Sequence, residues 1–132
     1  MRRLALERDE LAWLGECLVA RAAARSGARI LARRIRLAGV EVDLVVRDAR
    51  EVACVEVKTS TARAPGEAVR WRPAHRVDGR RIERQRRAAT ALSRLLPCGK
   101  TRVRCDVVEV WIDSRGKRFR LEWHRDVERP IE

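Results

Sequence analysis

Two neighbouring runs, Glu41-Val42-Asp43-Leu44-Val45-Val46 and Val52-Ala53-Cys54-Val55-Glu56-Val57-Lys58, decide how this sequence folds. Both are dense in valine, whose β-branched side chain suits a pleated surface better than a helix. The polar link Asp48-Ala49-Arg50-Glu51 suits a tight turn, so the runs are predicted to form an antiparallel hairpin. Side chains alternate faces along a strand. Val42, Leu44 and Val46 therefore share one face with Ala53, Val55 and Val57, while Glu41, Asp43, Cys54, Glu56 and Lys58 take the other. A two-residue loop of Ala49 and Arg50 would set Asp43 directly opposite Glu56 and Glu41 opposite Lys58.

That register has a chemical consequence. Two opposed carboxylates repel each other unless a cation lies between them, and either Lys58 or a divalent metal would supply one. Hard oxygen ligands suit Mg²⁺ or Mn²⁺, whereas zinc favours the histidines and cysteines that this stretch does not converge. Taken singly, acids and lysines at strand edges are ordinary solvated partners in a salt-bridge ladder. Taken together, Asp43, twelve intervening residues and then Glu56-Val57-Lys58 spell D-x(n)-E-x-K.

Outward from the hairpin, Leu11, Leu14, Leu18 and Ala22 recur at helical spacing between about Arg8 and Ser26, and Gly27 stops the helix. Arg29 to Leu37 is β-compatible, with Gly39 punctuating its end. Thr59 to Asp78, containing Pro65, Gly66 and Pro73, reads as a long loop. A second, very basic helix is predicted from Gly79 to Leu96, ended by Pro97, then a strand from Arg102 to Ile112. The turn Asp113-Ser114-Arg115-Gly116 leads to a last strand through Phe119 and Leu121. The order is one helix, three strands, one helix and two strands. The expectation is one α/β domain over residues 1–127 with a loose tail over 128–132.

The 132 residues carry a formal net charge of +12 and 38% charged residues, an electrostatic footprint suited to a polyanion. Nucleic acid is the leading partner, the bland alternative being a merely solvated arginine-rich surface. Basic residues are spread along the chain without one block beside an apolar face, which argues against a membrane partner. There is no long apolar run and no apolar leader after Met1-Arg2-Arg3, and Cys17, Cys54, Cys98 and Cys105 form no C-x-x-C pair. A cytoplasmic protein with reduced, mostly packed thiols is expected. The absence of tyrosine, of a Gly-x-Ser-x-Gly elbow and of a phosphate-binding Gly-Lys-Ser/Thr loop sets aside several other chemistries.

These motifs resemble the YraN-like family of bacterial predicted endonucleases, within the PD-(D/E)XK superfamily, from about Leu14 to Val110. Leu14-Gly15-Glu16 is similar to that family's first-helix Gly-Glu step, Glu41-Val42-Asp43-Leu44-Val45 to its Glu-Ile-Asp-Leu-Ile strand, and Val55-Glu56-Val57-Lys58-Thr59 to its Val-Glu-Val-Lys-Thr strand. Arg80 to Leu92 resembles its basic helix and Val103-Arg104-Cys105-Asp106-Val107 its late Arg-Phe-Asp-Val strand. The chain departs from the family in placing Val40 between Gly39 and Glu41, in Ser60 where arginine is frequent, and in Arg81 for a lysine.

The resemblance implies a restriction-endonuclease-like αβββαβ core, its mixed central sheet flanked by helices, with a C-terminal β-hairpin extension. It implies that Asp43 and Glu56, with the Val57 carbonyl, ligate Mg²⁺ or Mn²⁺ while Lys58 acts on the attacking water. Glu16 would be an auxiliary catalytic carboxylate, its bland reading a solvated helical acid, and Glu41 a supporting ion-pair partner.

Arg80, Arg81, Arg84 and Arg87, with Arg76 and Arg86 nearby, would follow a phosphate backbone. Trp71 would stack on a base or fold back on its own domain. With no asparagine and one glutamine, Gln85, bidentate adenine reading is poorly provided for, which favours structure-selective over sequence-specific binding; the resemblance implies DNA ahead of RNA as the substrate. His75 and His124 have no partner at useful spacing and receive no role. Competing readings are a non-catalytic nucleic-acid-binding module of the same fold and an assembly factor; whether the chain forms a homodimer is left open.

Overall fold

The computed structural model describes residues 7–49, 51–62, 79–96, 102–113 and 118–127, with side chains throughout except at 62 and 79–82. Expectations about Trp71, His75, Arg76, Cys98, the 114–116 turn, the tail and the side chains of Arg80 and Arg81 lie outside the described residues.

Helix α1 spans Arg8–Arg25. Glu10 reaches back to the Glu7 backbone N–H at 3.3 Å, and acids in the first turn complement the positive end of the helix. Its far end closes where Gly27 takes a left-handed φ of 92° and the Ala28 N–H returns to the Ala23 carbonyl. Strands β1 (Arg29–Leu37), β2 (Val40–Asp48) and β3 (Glu51–Ala62) follow, then helix α2 (Gly79–Leu95), β4 (Arg102–Asp113) and β5 (Phe119–His124). The β1–β2 connection is the two residues Ala38 and Gly39, both at positive φ, as a hairpin turn that follows strand twist requires.

The five strands form one mixed sheet in the order β1-β2-β3-β4-β5, antiparallel except for the parallel β3–β4 pair. Helix α1 covers one face, where Val19 and Ala23 meet Leu44, Val46, Ala53, Val55, Val108 and Val110. On the other, Ala88, Ala89 and Leu92 of α2 meet Val45, Val52, Cys54 and Cys105. This is the α/β architecture with a flanked mixed sheet that was expected, consistent with a restriction-endonuclease-like core. Cys54 and Cys105 are buried free thiols and Cys17 is half-buried. Among the described residues no helix is long and apolar enough to cross a membrane.

Two expectations are corrected. Thr59 to Ala62, expected to open a loop, instead pair with Val110 to Asp113 and extend β3. Val42 does not share a core face with Leu44 and Val46: it joins the α2-side cluster with Val45. Strict alternation fails because β2 is irregular at Asp43. The described pairing with β3 runs from Asp48–Glu51 to Leu44–Val55, and the β1 pairing passes over Arg34 and Asp43 between Arg33–Leu44 and Ile35–Val42 without a change of register, its register shift lying between Ile30 and Ala32. Arg34, at the skipped position, has a φ of 50°. Such a conformation is uncommon in a non-glycine residue and costs on the order of 1–2 kcal/mol.

Candidate functional site

The loop register was right as far as pairing extends, since Leu44 opposes Val55 and Asp48 opposes Glu51. Beyond Leu44 a side chain takes over from the backbone. Oδ2 of Asp43 accepts the Val57 N–H at 2.8 Å, occupying the place where a β2 carbonyl would otherwise complete the ladder. A residue's N–H and C=O leave a strand on the same side, so the Val57 carbonyl also points toward this opening between β2 and β3.

Glu56 and Lys58 form an ion pair, with Nζ 2.7 Å from Oε1, in which both side chains are largely buried. The other carboxylate oxygen, Oε2, accepts from Gln85 Nε2 of α2 at 2.9 Å. Asp43 and Glu56 line one open cleft of about 320 Å³, together with Glu41, Arg84, Gln85 and Arg87. The structure therefore brings the cleft acids to two of the four predicted arginines.

Glu16 is 5% exposed, so it faces inward, whereas Trp13 one turn earlier is 54% exposed. Arg34 donates to Glu16 at 2.9 Å from Nη2 and 3.4 Å from Nε. Gly15 explains how α1 comes close enough: a Cβ there would lie 1.8 Å from the Thr59 hydroxyl. Burial is the main force raising the Asp43 pKa to about 6, opposed by the Val57 N–H; the negative charges of Glu16 and Glu56 add to the rise, and Lys58 opposes it. Negative charge is thus held under strain in a partly dry site, which a divalent cation would relieve. Two carboxylates and a backbone carbonyl fit Mg²⁺ or Mn²⁺, which take few protein ligands and keep waters or phosphate oxygens.

Glu41 is placed differently from its predicted position. It lies across from Arg36 of β1, 3.9 Å away and exposed, instead of opposing Lys58. The reason is the end of the described β2–β3 pairing at Leu44, which leaves Lys58 to Glu56.

Sequence reasoning also missed a second group. Glu109, fully buried, lies 2.9 Å from His124 Nε2, and Glu122 lies 3.9 Å from the same nitrogen. Ligand atoms of Glu109, Glu122 and His124 converge within 4.8 Å, a composition and spacing able to hold a metal ion. The partners that the sequence reading did not find for His124 come from hairpin pairing, in which Glu109 opposes Glu122 and Val107 opposes His124. Correct register for the last two strands would have revealed them. On the parallel side Glu109 is the register neighbour of Lys58.

Asp106 is structural. It accepts from Arg104 Nε at 3.1 and 3.2 Å, from the Trp123 indole at 2.8 Å and from the Asp126 N–H at 2.9 Å. Arg104 also pairs with Glu51. This network ties β5 and the following segment to the sheet.

Fold and site together define an α/β domain of restriction-endonuclease-like architecture with an acidic cleft rimmed by arginine. The sequence profile of the uncharacterised protein family UPF0102 matches residues 15–110, and the chain belongs to that family. A UPF0102 protein of Corynebacterium efficiens is 37% identical over 122 residues, 92% of this chain and 94% of its own length. Another, from Moorella thermoacetica, is 34% identical over 104 residues, 79% and 82% of the two chains. A third, from Frankia alni, is 38% identical over 103 residues, 78% and 82%.

Proposed function

We propose that the protein is a Mg²⁺- or Mn²⁺-dependent endonuclease that hydrolyses phosphodiester bonds in DNA, selecting for strand structure over sequence. The observation that carries this reading is the shared position of Asp43, Glu56 and Lys58 where β2 and β3 part, with Asp43 anchored on the Val57 N–H and Glu56 on Lys58. A divalent cation bound there supplies Lewis-acid polarisation of a phosphoryl oxygen and a more acidic water.

The chain's own groups do the rest. Asp43, Glu56 and the Val57 carbonyl hold the cation. Lys58 Nζ, carried beside Glu56, holds the attacking water and balances charge that develops on the phosphate. Glu16, kept inward by Arg34, adds a third carboxylate near Asp43. Arg84 and Arg87 on the cleft wall take phosphates on either side of the scissile bond. The formal charge of +12 favours association with DNA at low salt.

Incubation with duplex, nicked, branched and single-stranded DNA and with RNA, each with and without Mn²⁺, tests the reading. Cleavage of one or more DNA structures only with metal supports it. Binding without cleavage of any substrate would move the protein to the non-catalytic binding module, and metal-independent cleavage would overturn the role given to the cation.

A further inference from the structure

We infer that Gln85, the chain's sole glutamine, is a positioning residue for the cation site: its amide fixes the Glu56 carboxylate for metal, and its carbonyl accepts from a water of that metal. The inference rests on the reading of the cleft as a cation site, and deepens it.

Three features of Gln85 lead there. Its Nε2 donates to Glu56 Oε2 at 2.9 Å while Lys58 holds Oε1, so the carboxylate is gripped from both ends. This grip also settles which end of the amide is which, because a flipped Gln85 would set a carbonyl oxygen against a carboxylate oxygen. The remaining end, Oε1, is buried and has no hydrogen-bond partner among the described residues. Finally, Gln85 lies in the wall of the cleft that Asp43 and Glu56 also line.

A buried amide oxygen without a partner is unfavourable in the metal-free protein. A structural glutamine would have both ends satisfied; this one holds the candidate ligand with one end and keeps a hard oxygen acceptor in reserve with the other. The waters kept by Mg²⁺ or Mn²⁺ are strong donors that such an acceptor fits. Among the described residues of α2, Gln85 thus differs from Arg84 and Arg87 on the same wall, which suit phosphate.

The test is Mn²⁺ binding, followed by the loss of the free-ion paramagnetic resonance signal, for wild type, Gln85→Leu, Gln85→Met and Asp43→Ala. Thermal unfolding of the same proteins without metal accompanies it. Gln85→Leu and Gln85→Met are expected to weaken Mn²⁺ binding by about 10- to 100-fold. Their metal-free melting temperatures should change little, since loss of the donor to Glu56 is offset by removal of the buried orphan oxygen. A merely structural glutamine would give the reverse, with lower melting and unaltered affinity for Mn²⁺. Wild-type affinity in either folded variant, with binding lost in Asp43→Ala, overturns this inference alone. If wild type itself binds no more Mn²⁺ than Asp43→Ala, the cation-site reading falls and this inference falls with it.

Discussion

The charged form of Asp43 is costly to the metal-free fold. Its pKa, raised to about 6 from 3.8, means that the folded chain holds this proton more tightly than the unfolded chain does. Stability from this group is therefore complete below about pH 3.8 and is lost as pH rises to about 6 and beyond, a change on the order of 2–3 kcal/mol. Asp43→Asn removes the charge while keeping an acceptor for the Val57 N–H. Its metal-free protein should be more stable than wild type at pH 8, with the advantage vanishing toward pH 4; equal urea midpoints at both pH values would contradict this. At this scale the text of the sequence named Asp43, Glu56 and Lys58 because their order is a short pattern. It did not reveal Arg34 on Glu16, Gln85 on Glu56 or Glu109 on His124, since those contacts bridge separate elements and depend on helix placement and strand register.

Helix α1 and strand β3 are locked by the absence of a side chain. Gly15 lies against Thr59, one residue past Lys58, and an added Cβ would meet the Thr59 Oγ1 at 1.8 Å and its Cβ at 2.9 Å. Gly15→Ala must push α1 off the sheet or rotate it, costing about 1–3 kcal/mol by overpacking. It should also draw Glu16 away from Asp43, lowering the Asp43 pKa. Urea unfolding and carboxyl titration by NMR check both effects, and a variant as stable as wild type with an unmoved Asp43 would show that the contact is slack. The elements themselves were legible: periodicity set both helices, and valine-rich alternation with turn residues set the strands. What alternation could not give was the break at Asp43, because a period-two rule assumes an uninterrupted ladder. The added length of β3 was hidden for a similar reason, as Thr59, Ser60 and Thr61 read as polar loop until β4 supplies a parallel partner.

Over the whole molecule, the two helices cover the middle of the sheet and leave the point where β2 and β3 part open as an acidic cleft beside arginines of α2. The sequence reading assigned the expected polyanion contact to the arginines of the second helix; the fold sets two of them, Arg84 and Arg87, on the wall of the cleft that Asp43 and Glu56 line. Replacing both with alanine should lower the slope of log binding constant against log salt by about 2 for duplex DNA, with little change in preference among sequences. An unchanged slope would put the footprint on another surface.

If Asp43 and Glu56 hold a divalent cation that enables cleavage of DNA, the reaction must depend on both the metal and Asp43. That dependence is tested most directly by the single-turnover cleavage rate of a preferred DNA structure across a Mn²⁺ titration, for wild type and Asp43→Ala. The expected rate saturates with Mn²⁺ for wild type and stays near background for Asp43→Ala at every concentration. Equal rates for the two folded proteins, or a wild-type rate indifferent to Mn²⁺, would contradict it.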